Sequence, residues 1–336
     1  SYTTSQWLSI KDSRFIAPAI FAVSSAHSNT PRCFIEAIEG LNIPVVDLPL
    51  EYCSYLQLEQ STITERVFME LFFRDIDRLQ TMQECRNAVL VTSLEAFAVE
   101  MEKGTERERV LKAALEEHQC VPCSPNGVAL KKCCELVDPQ SEFAAMFEDT
   151  DGVFPKDSDC RSVLARQAML KLGLHCDSVP WEFIIERAQT IGSLYELDYG
   201  KALKRVQSIL KSIHKNIAAC PGREVPEEAR ALACIPFLPV RQKPERYPLY
   251  WFGDNCPHLL CGKDLVMDAD NDTDLVVGST AAILQQKVHN RSVIDAPTDV
   301  CNLLQISTTP RCIDIIAHFK NLICAAQQSN VIPSLV

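Results

Sequence analysis

From Thr62 to Leu79 the apolar residues Ile63, Val67, Phe68, Leu71, Ile76 and Leu79 recur at helical spacing along one face. Thr62 followed three residues later by Glu65 has the form of a capping box, in which hydroxyl and carboxylate each bind a backbone N–H of the first turn. Thr105 and Glu108 repeat that signature at the head of a helix running to about His118, and another helix is expected over 94–101. Asn87-Ala-Val-Leu-Val91 is too short to show a period and reads as a strand or turn. Upstream, Phe15 to Val23 and Ile43 to Leu50 read as buried strands on either side of a helix near Pro31 to Leu41, with Gly40 at its end.

Cys120-Val-Pro-Cys123, the Asn126-Gly127 turn and Val128-Ala-Leu130 predict a β-hairpin, which Glu135-Leu-Val-Asp-Pro139 closes. The acidic, Pro- and Gly-containing stretch from Asp138 to Asp159 marks a boundary between a mixed α/β module, 1–150, and a helical module, 151–336. In the second module helices are expected from Ser158 to Leu172, stopped by Gly173, and from Pro180 to Ile191, ended by Gly192. A third runs from Leu194 to Ala219, with Leu203, Val206, Leu210, Ile213 and Ile217 in a core seam. Pro226 opens a short helix leading into the apolar Cys234-Ile-Pro-Phe-Leu-Pro-Val240. Tyr247 to Phe252 reads as a strand before a turn at Gly253-Asp-Asn255. The last helix, Pro310 to Gln328, is expected to bury Cys312, Ile313, Ile316, Ile323 and Ala326.

One pattern occurs twice. Ala114-Leu115 precedes Cys120-Val-Pro122, and Ala231-Leu232 precedes Cys234-Ile-Pro236. Glu135-Leu-Val-Asp138 is echoed by Asp264-Leu-Val-Met-Asp268, the second copy being longer by an insertion that carries the Tyr/Trp-rich hairpin. The expected fold is α+β, predominantly helical with short strands and hairpins, in two modules with internal duplication.

Composition narrows the function. There are only 11 glycines, no two closer than eight residues, so neither a dinucleotide-binding G-x-G-x-x-G nor a P-loop exists in the chain. A net charge of -11 argues against nucleic acid. The densest basic group, Lys201, Lys204, Arg205, Lys211 and Lys215, reads as a solvated helix face. No apolar run is long enough to span a bilayer. Ser1 opens no signal-peptide pattern, and the chain reads as a fragment of something longer. The 16 cysteines are irregularly spaced and partly inside apolar helices, as expected for reduced thiols and a cytoplasmic location.

Candidate chemistry is sparse. No H-E-x-x-H or G-x-S-x-G occurs, and no catalytic or cofactor-binding residue is assigned. Cys120, Cys123, Cys133 and Cys134, beside His118, contain a zinc half-site, as do Cys256, His258 and Cys261; a zinc-stabilised binding domain is the alternative reading. A cysteine-dependent enzyme is a third, since a Cys–His pair meets in space rather than in sequence. Asp268 to Asp274 alternates acids as a calcium loop begins but lacks its glycine and terminal Glu. Arg241, Tyr247, Tyr250, Trp251 and Phe252 are the residue types that anchor protein interfaces, and form the candidate contact surface.

The segment from about 115 to 280 resembles the repeats of the sacsin family of very large cytosolic co-chaperones. The residues that carry it are Cys120-Val-Pro-Cys123, Gly127, Glu135-Leu-Val-Asp-Pro139, Gly152-Val-Phe-Pro155 and Ala168-Met-Leu-Lys-Leu-Gly-Leu174. Trp181-Glu-Phe-Ile-Ile-Glu-Arg-Ala188, Ile235-Pro-Phe-Leu-Pro-Val240 and Tyr247-Pro-Leu-Tyr-Trp251 continue it. The resemblance implies a non-ATPase part of one repeat, because the family's ATPase domain needs clustered glycines absent here. It further implies a scaffolding role with no chemistry of its own, associated with heat-shock chaperones, the proteasome and neuronal intermediate filaments.

Overall fold

The computed structural model describes residues 14–16, 36–41, 45–46, 52, 55, 62–63, 65–156, 162–219, 225–243, 250–268, 272–288, 291–292 and 294–329. They form a predominantly helical α+β chain with short strands. They fall into two compact units, one drawn from Ser1–Ser141 and Glu148–Cys176, the other from Glu142–Phe147 and Asp177–Val336.

In the first unit the strands β1 (Arg14–Ile16), β2 (Val45–Val46) and β3 (Thr62–Ile63) pair in parallel, in the order β2-β1-β3. Thr62 and Ile63, both β-branched, are paired with Phe15 and Ile16. Thr62 is therefore no helix cap, and helix α1 (Glu65–Arg74) starts after it. Phe68, Met69, Phe72 and Phe73 of α1 are buried, and Asp75 separates α1 from a 3-10 turn over Ile76–Met82. Helix α2 (Gln83–Glu100) buries every residue from Arg86 to Phe97 except Ala88. A helix packed on all sides shows no apolar stripe, which is why Asn87–Val91 reads as a strand in sequence and is helical here. Helix α3 (Glu106–Glu117) starts as expected: Thr105 Oγ1 accepts from Glu108 N–H at 3.0 Å, while the Glu108 carboxylate accepts from Gly104 N–H and Glu102 N–H at 2.8 and 3.1 Å.

The expected hairpin follows as β4 (Val121–Pro122) and β5 (Leu130–Lys131). Arg86 clamps its turn, donating to Gly127 O and Val128 O at 2.9 and 3.0 Å. A 3-10 turn over Cys133–Glu135 leads to Leu136 and Val137. The chain then returns at Phe154 to Lys156 alongside β4, with Ser124 N–H to Phe154 O and Lys156 N–H to Pro122 O. Helix α4 (Val163–Lys171) carries it back to His175, which bridges Val137 in parallel. That last turn depends on Gly173, whose φ of 101° is left-handed. Gly173 N–H reaches Leu170 O and Leu174 N–H reaches Met169 O, the two bonds of a Schellman motif.

In the second unit helices α5 (Trp181–Gln189), α6 (Ile191–Leu197) and α7 (Tyr199–Ala219) precede a short α8 (Glu227–Arg230). Gly192 lies inside α6 rather than ending a helix. α7 starts at Tyr199, not Leu194, because the Asp198 carboxylate accepts from Lys201 N–H at 2.9 Å. Leu203, Val206, Leu210 and Ile213 of the seam are buried, joined by Ala202, Arg205, Ser208, Ile209 and Ser212.

After α8 the hairpin framework of the first unit recurs. Strands β6 (Leu238–Pro239) and β7 (Leu259–Leu260) pair antiparallel, a 3-10 turn over Gly262–Asp264 leads to β8 (Leu265–Val266), and β9 (Ala282–Ile283) returns. Arg241 N–H to Ile283 O and Gln285 N–H to Pro239 O take the places of the Ser124 and Lys156 bonds. A hairpin of β10 (Lys287–Val288) and β11 (Arg291–Ser292) intervenes between β9 and the next helix. A short helix α9 (Thr273–Val277) fills the loop before β9, and α10 (Thr298–Leu304) turns back to Ser307, which bridges Val266 in parallel. Here Gln305 holds the left-handed position at φ 59°, with Gln305 N–H on Asn302 O and Ile306 N–H on Cys301 O. Gly262 replaces Cys133 because a Cβ there would lie 2.2 Å from Leu304 O. Tyr247 and the first half of its expected strand lie outside the described residues, and Phe252 begins a 3-10 turn, Phe252–Asn255. The chain ends in α11 (Cys312–Ser329).

A side chain in the left-handed region costs about 1–2 kcal/mol relative to glycine. Gln305→Gly is therefore expected to raise the second unit's stability by about 1 kcal/mol, read as a higher urea midpoint with an unchanged slope.

Candidate interaction surface

Of the candidate contact residues, Trp251 is 2% exposed and packs with Val277, Ile283 and Ile315. Its indole N–H donates to Arg241 O at 3.2 Å. The Arg241 guanidinium lies between Asp268, at 2.6 Å, and Asp274, at 3.7 Å, so two acids of the 268–274 run serve an ion pair beneath the surface. Phe252 is half-buried, while Tyr250 is 52% exposed with its hydroxyl accepting from Asn255 at 2.6 Å. The structure thus brings Arg241 and Trp251 together as the support of a small core and leaves Tyr250 facing solvent.

That core carries α11, and α11 is amphipathic in the sense opposite to the expected one. The most buried residues on it are Asp314 and His318, 8% and 1% exposed, with Ile315 half-buried beside Trp251. Ile313, Ile316, Phe319 and Ile323 are 70%, 56%, 52% and 58% exposed, and Cys312 and Cys324 are exposed with them. The reason is the polar partners that α9 and its loop present. Ser279 N–H donates to His318 Nδ1 at 3.2 Å, Ser279 Oγ lies 2.7 Å from the same nitrogen, and His318 Nε2 lies 3.2 Å from Leu275 O. Asn321 donates to Ser279 Oγ at 3.1 Å, and Thr280 Oγ1 to Asp314 O at 2.8 Å. Nδ1 accepts and Nε2–H donates, an arrangement that only a neutral imidazole satisfies. The polar face of α11 is thereby tied down and the apolar stripe faces out. Sequence reasoning found both faces but not their sense, for which the i, i+4 pair Asp314 and His318 was the available signal.

The cysteine clusters are placed differently. Cys120 Sγ points to Leu115 O and Cys123 Sγ to Val121 O, each at 3.3 Å, and burial pushes the Cys123 thiol up to about 11. Cys133 is buried, Cys134 is exposed, and His118 stacks on Phe73 at 4.4 Å. His258 stacks on Tyr195 at 6.0 Å, and Cys261 Sγ donates to Cys234 O at 3.1 Å. Among the described residues no three His, Cys, Asp or Glu side chains are grouped so as to hold a metal ion. A cavity of about 410 Å³ in the first unit is lined by Phe73, Asp77, Arg86, His118 and Lys132, but its arginine is already committed to the hairpin turn. No helix among the described residues is long and apolar enough to cross a membrane.

No family model and no solved structure matches the chain. Over 264 residues, 75% of its length, it is 26% identical to human sacsin. This is a sacsin-like region. The matched part is 6% of sacsin's own length, so the chain corresponds to a small piece of that protein.

Replacing a large buried aromatic residue by alanine costs about 3–5 kcal/mol. Trp251→Ala is therefore expected to lower the thermal midpoint of this sacsin-like region by several degrees, whereas Tyr250→Ala leaves it unchanged. Burial holds the His318 pKa below its ordinary 6.5. The unfolded chain then takes up a proton that the folded chain resists, so this contribution is full above about pH 7 and falls as pH drops through about 6.5. His175 in the first unit is lowered by burial in the same way. The informative comparison is thus the urea midpoint of the parent and of His318→Gln at pH 7.5 and 5.5 (values chosen to bracket roughly the ordinary pKa), with the smaller acid loss expected in the variant.

Proposed function

We propose that the chain is a non-catalytic structural and interaction module of a large cytoplasmic co-chaperone of the sacsin type. In this reading it acts alongside heat-shock chaperones, the proteasome and intermediate filaments. The observation that carries the reading is the similarity to sacsin along three quarters of the chain. Two features support it. The glycine distribution leaves neither a dinucleotide-binding fingerprint nor a P-loop in the chain. Two buried polar side chains, Arg86 and His318, are engaged in holding the hairpin turn and α11.

Isothermal titration of the purified chain with magnesium-ATP is expected to be flat, and the chain is expected to co-sediment saturably with reconstituted intermediate filaments without ATP. Saturable nucleotide binding overturns the non-catalytic reading. A chain that stays in the supernatant at every filament concentration removes the filament role.

A further inference from the structure

The two hairpins correspond residue by residue where the chain enters and leaves them. β4 answers to β6 and β5 to β7, with Val121 opposite Lys131 in the first ladder and Leu238 opposite Leu260 in the second. Counting outward from those partners, Glu117 ends α3 where Cys234 ends the 3-10 turn Ala231–Cys234, and Lys132 follows β5 where Cys261 follows β7. In the first unit Glu117 and Lys132 line one cavity. In the second the same two positions carry thiols, and the residues are in contact. Cys261 Sγ donates to Cys234 O at 3.1 Å, and the turn Ala231–Cys234 packs on the turn Gly262–Asp264. Cys120, Cys123, Cys133 and Cys301 are buried, whereas Cys234 is exposed and Cys261 half-buried.

We propose that Cys234 and Cys261 are an oxidation-sensitive pair that a peroxide closes into a disulfide. Peroxide converts the exposed Cys234 thiol to a sulfenic acid and releases one water. The Cys261 thiol then attacks that sulfur; the S–S bond forms as the sulfenic S–O bond breaks, and the Cys261 proton leaves with the hydroxide as a second water. Two thiols thus lose two electrons and one peroxide gains them. Burial, with Asp264 beside it, holds the Cys261 thiol above its ordinary pKa, so the first step falls to Cys234. A disulfide joins Cβ atoms about 4 Å apart, and the exposed Cys234 side chain can turn toward a sulfur that already rests on its own carbonyl. The bond closes a loop over 235–260, which contains β6, Trp251 and β7. Cross-linking a loop restricts the unfolded chain and so fastens the folded one.

The test uses the full chain, reduced and desalted, then treated with hydrogen peroxide, alkylated with iodoacetamide and digested with trypsin without reduction. Mass spectrometry is expected to find peptide 231–241, whose one thiol is Cys234, joined to peptide 247–263 at two hydrogens below the summed mass. Peptide 247–263 also holds Cys256, so the link is expected to persist in Cys256→Ser and to vanish in both Cys261→Ser and Cys234→Ser. Circular dichroism matching the parent's, in either of the last two variants, ties the lost link to the missing thiol. In urea the preference for this pair is expected to disappear, because the fold brings the two residues together. The oxidised chain is expected to melt several degrees higher, a shift that dithiothreitol reverses and Cys261→Ser lacks. A link that survives in Cys261→Ser, an equal yield in urea, or oxidation of the exposed Cys134, Cys312 and Cys324 with peptide 231–241 unlinked overturns the pair. A linked chain that melts no higher overturns its fastening role.

Discussion

Strands of two residues do not hold themselves together, and most of the strands here are of that length. What fixes them is the return of the chain after a helix through one left-handed residue. At Gly173 and again at Gln305 the Schellman bonds end the helix and swing the next residues back. The backbone of His175 and Ser307 is thereby placed against Val137 and Val266. His175 N–H then reaches Leu136 O and Asp138 N–H reaches His175 O; Ser307 and Met267 make the same pair of bonds. A geometric condition on one φ angle thus closes each framework.

The two frameworks share this backbone and differ in what fills it. Cys133 becomes Gly262 where Leu304 closes in, and the turn clamped by Arg86 in the first becomes the long 241–258 insertion in the second. Trp251 on that insertion supplies apolar volume, and Arg241 with its two acids supplies the polar closure. A half-buried pair of this kind contributes orientation more than net stability, because desolvation offsets much of the attraction. Its consequence is positional: it fixes the loop bearing α9, and α9 fixes α11 through Ser279 and His318.

Much of the architecture was legible where a local rule acts alone. Thr105 with Glu108, Gly173 at a helix end and the hairpin at Asn126-Gly127 are all signals satisfied within a few residues. The Cys-x-Pro recurrence pointed to a repeated framework in the wrong register, since the strand Val121-Pro122 answers to Leu238-Pro239 and not to Ile235-Pro236. The misreadings share a cause, which is that tertiary partners decide between locally equal options. Thr62 and Glu65 have capping-box spacing, yet strand pairing with Phe15 claims Thr62. Asn87–Val91 carries no period because α2 is enclosed on every side. In α11 the periodicity was visible and its sense was not, since nothing local says that Ser279 and Leu275 will present polar atoms to His318. Tyr247 lies outside the described residues, and the rest of the Tyr/Trp group divided between core and surface according to whether a cavity lined by Val277 and Ile283 was there to take the ring.

An inverted helix of this sort constrains function more tightly than the cysteines do. The thiols of Cys120 and Cys123 turn to nearby carbonyls, and burial, which pushes the Cys123 thiol up to about 11, suits it as a small apolar group. On α11, by contrast, polar bonds inward hold an Ile and Phe stripe outward against the hydrophobic effect. Each exposed aliphatic or aromatic side chain there forgoes about 1.5–3 kcal/mol of burial energy. Under the reading proposed above, it is this outward stripe, rather than any thiol, that bears on an interaction role.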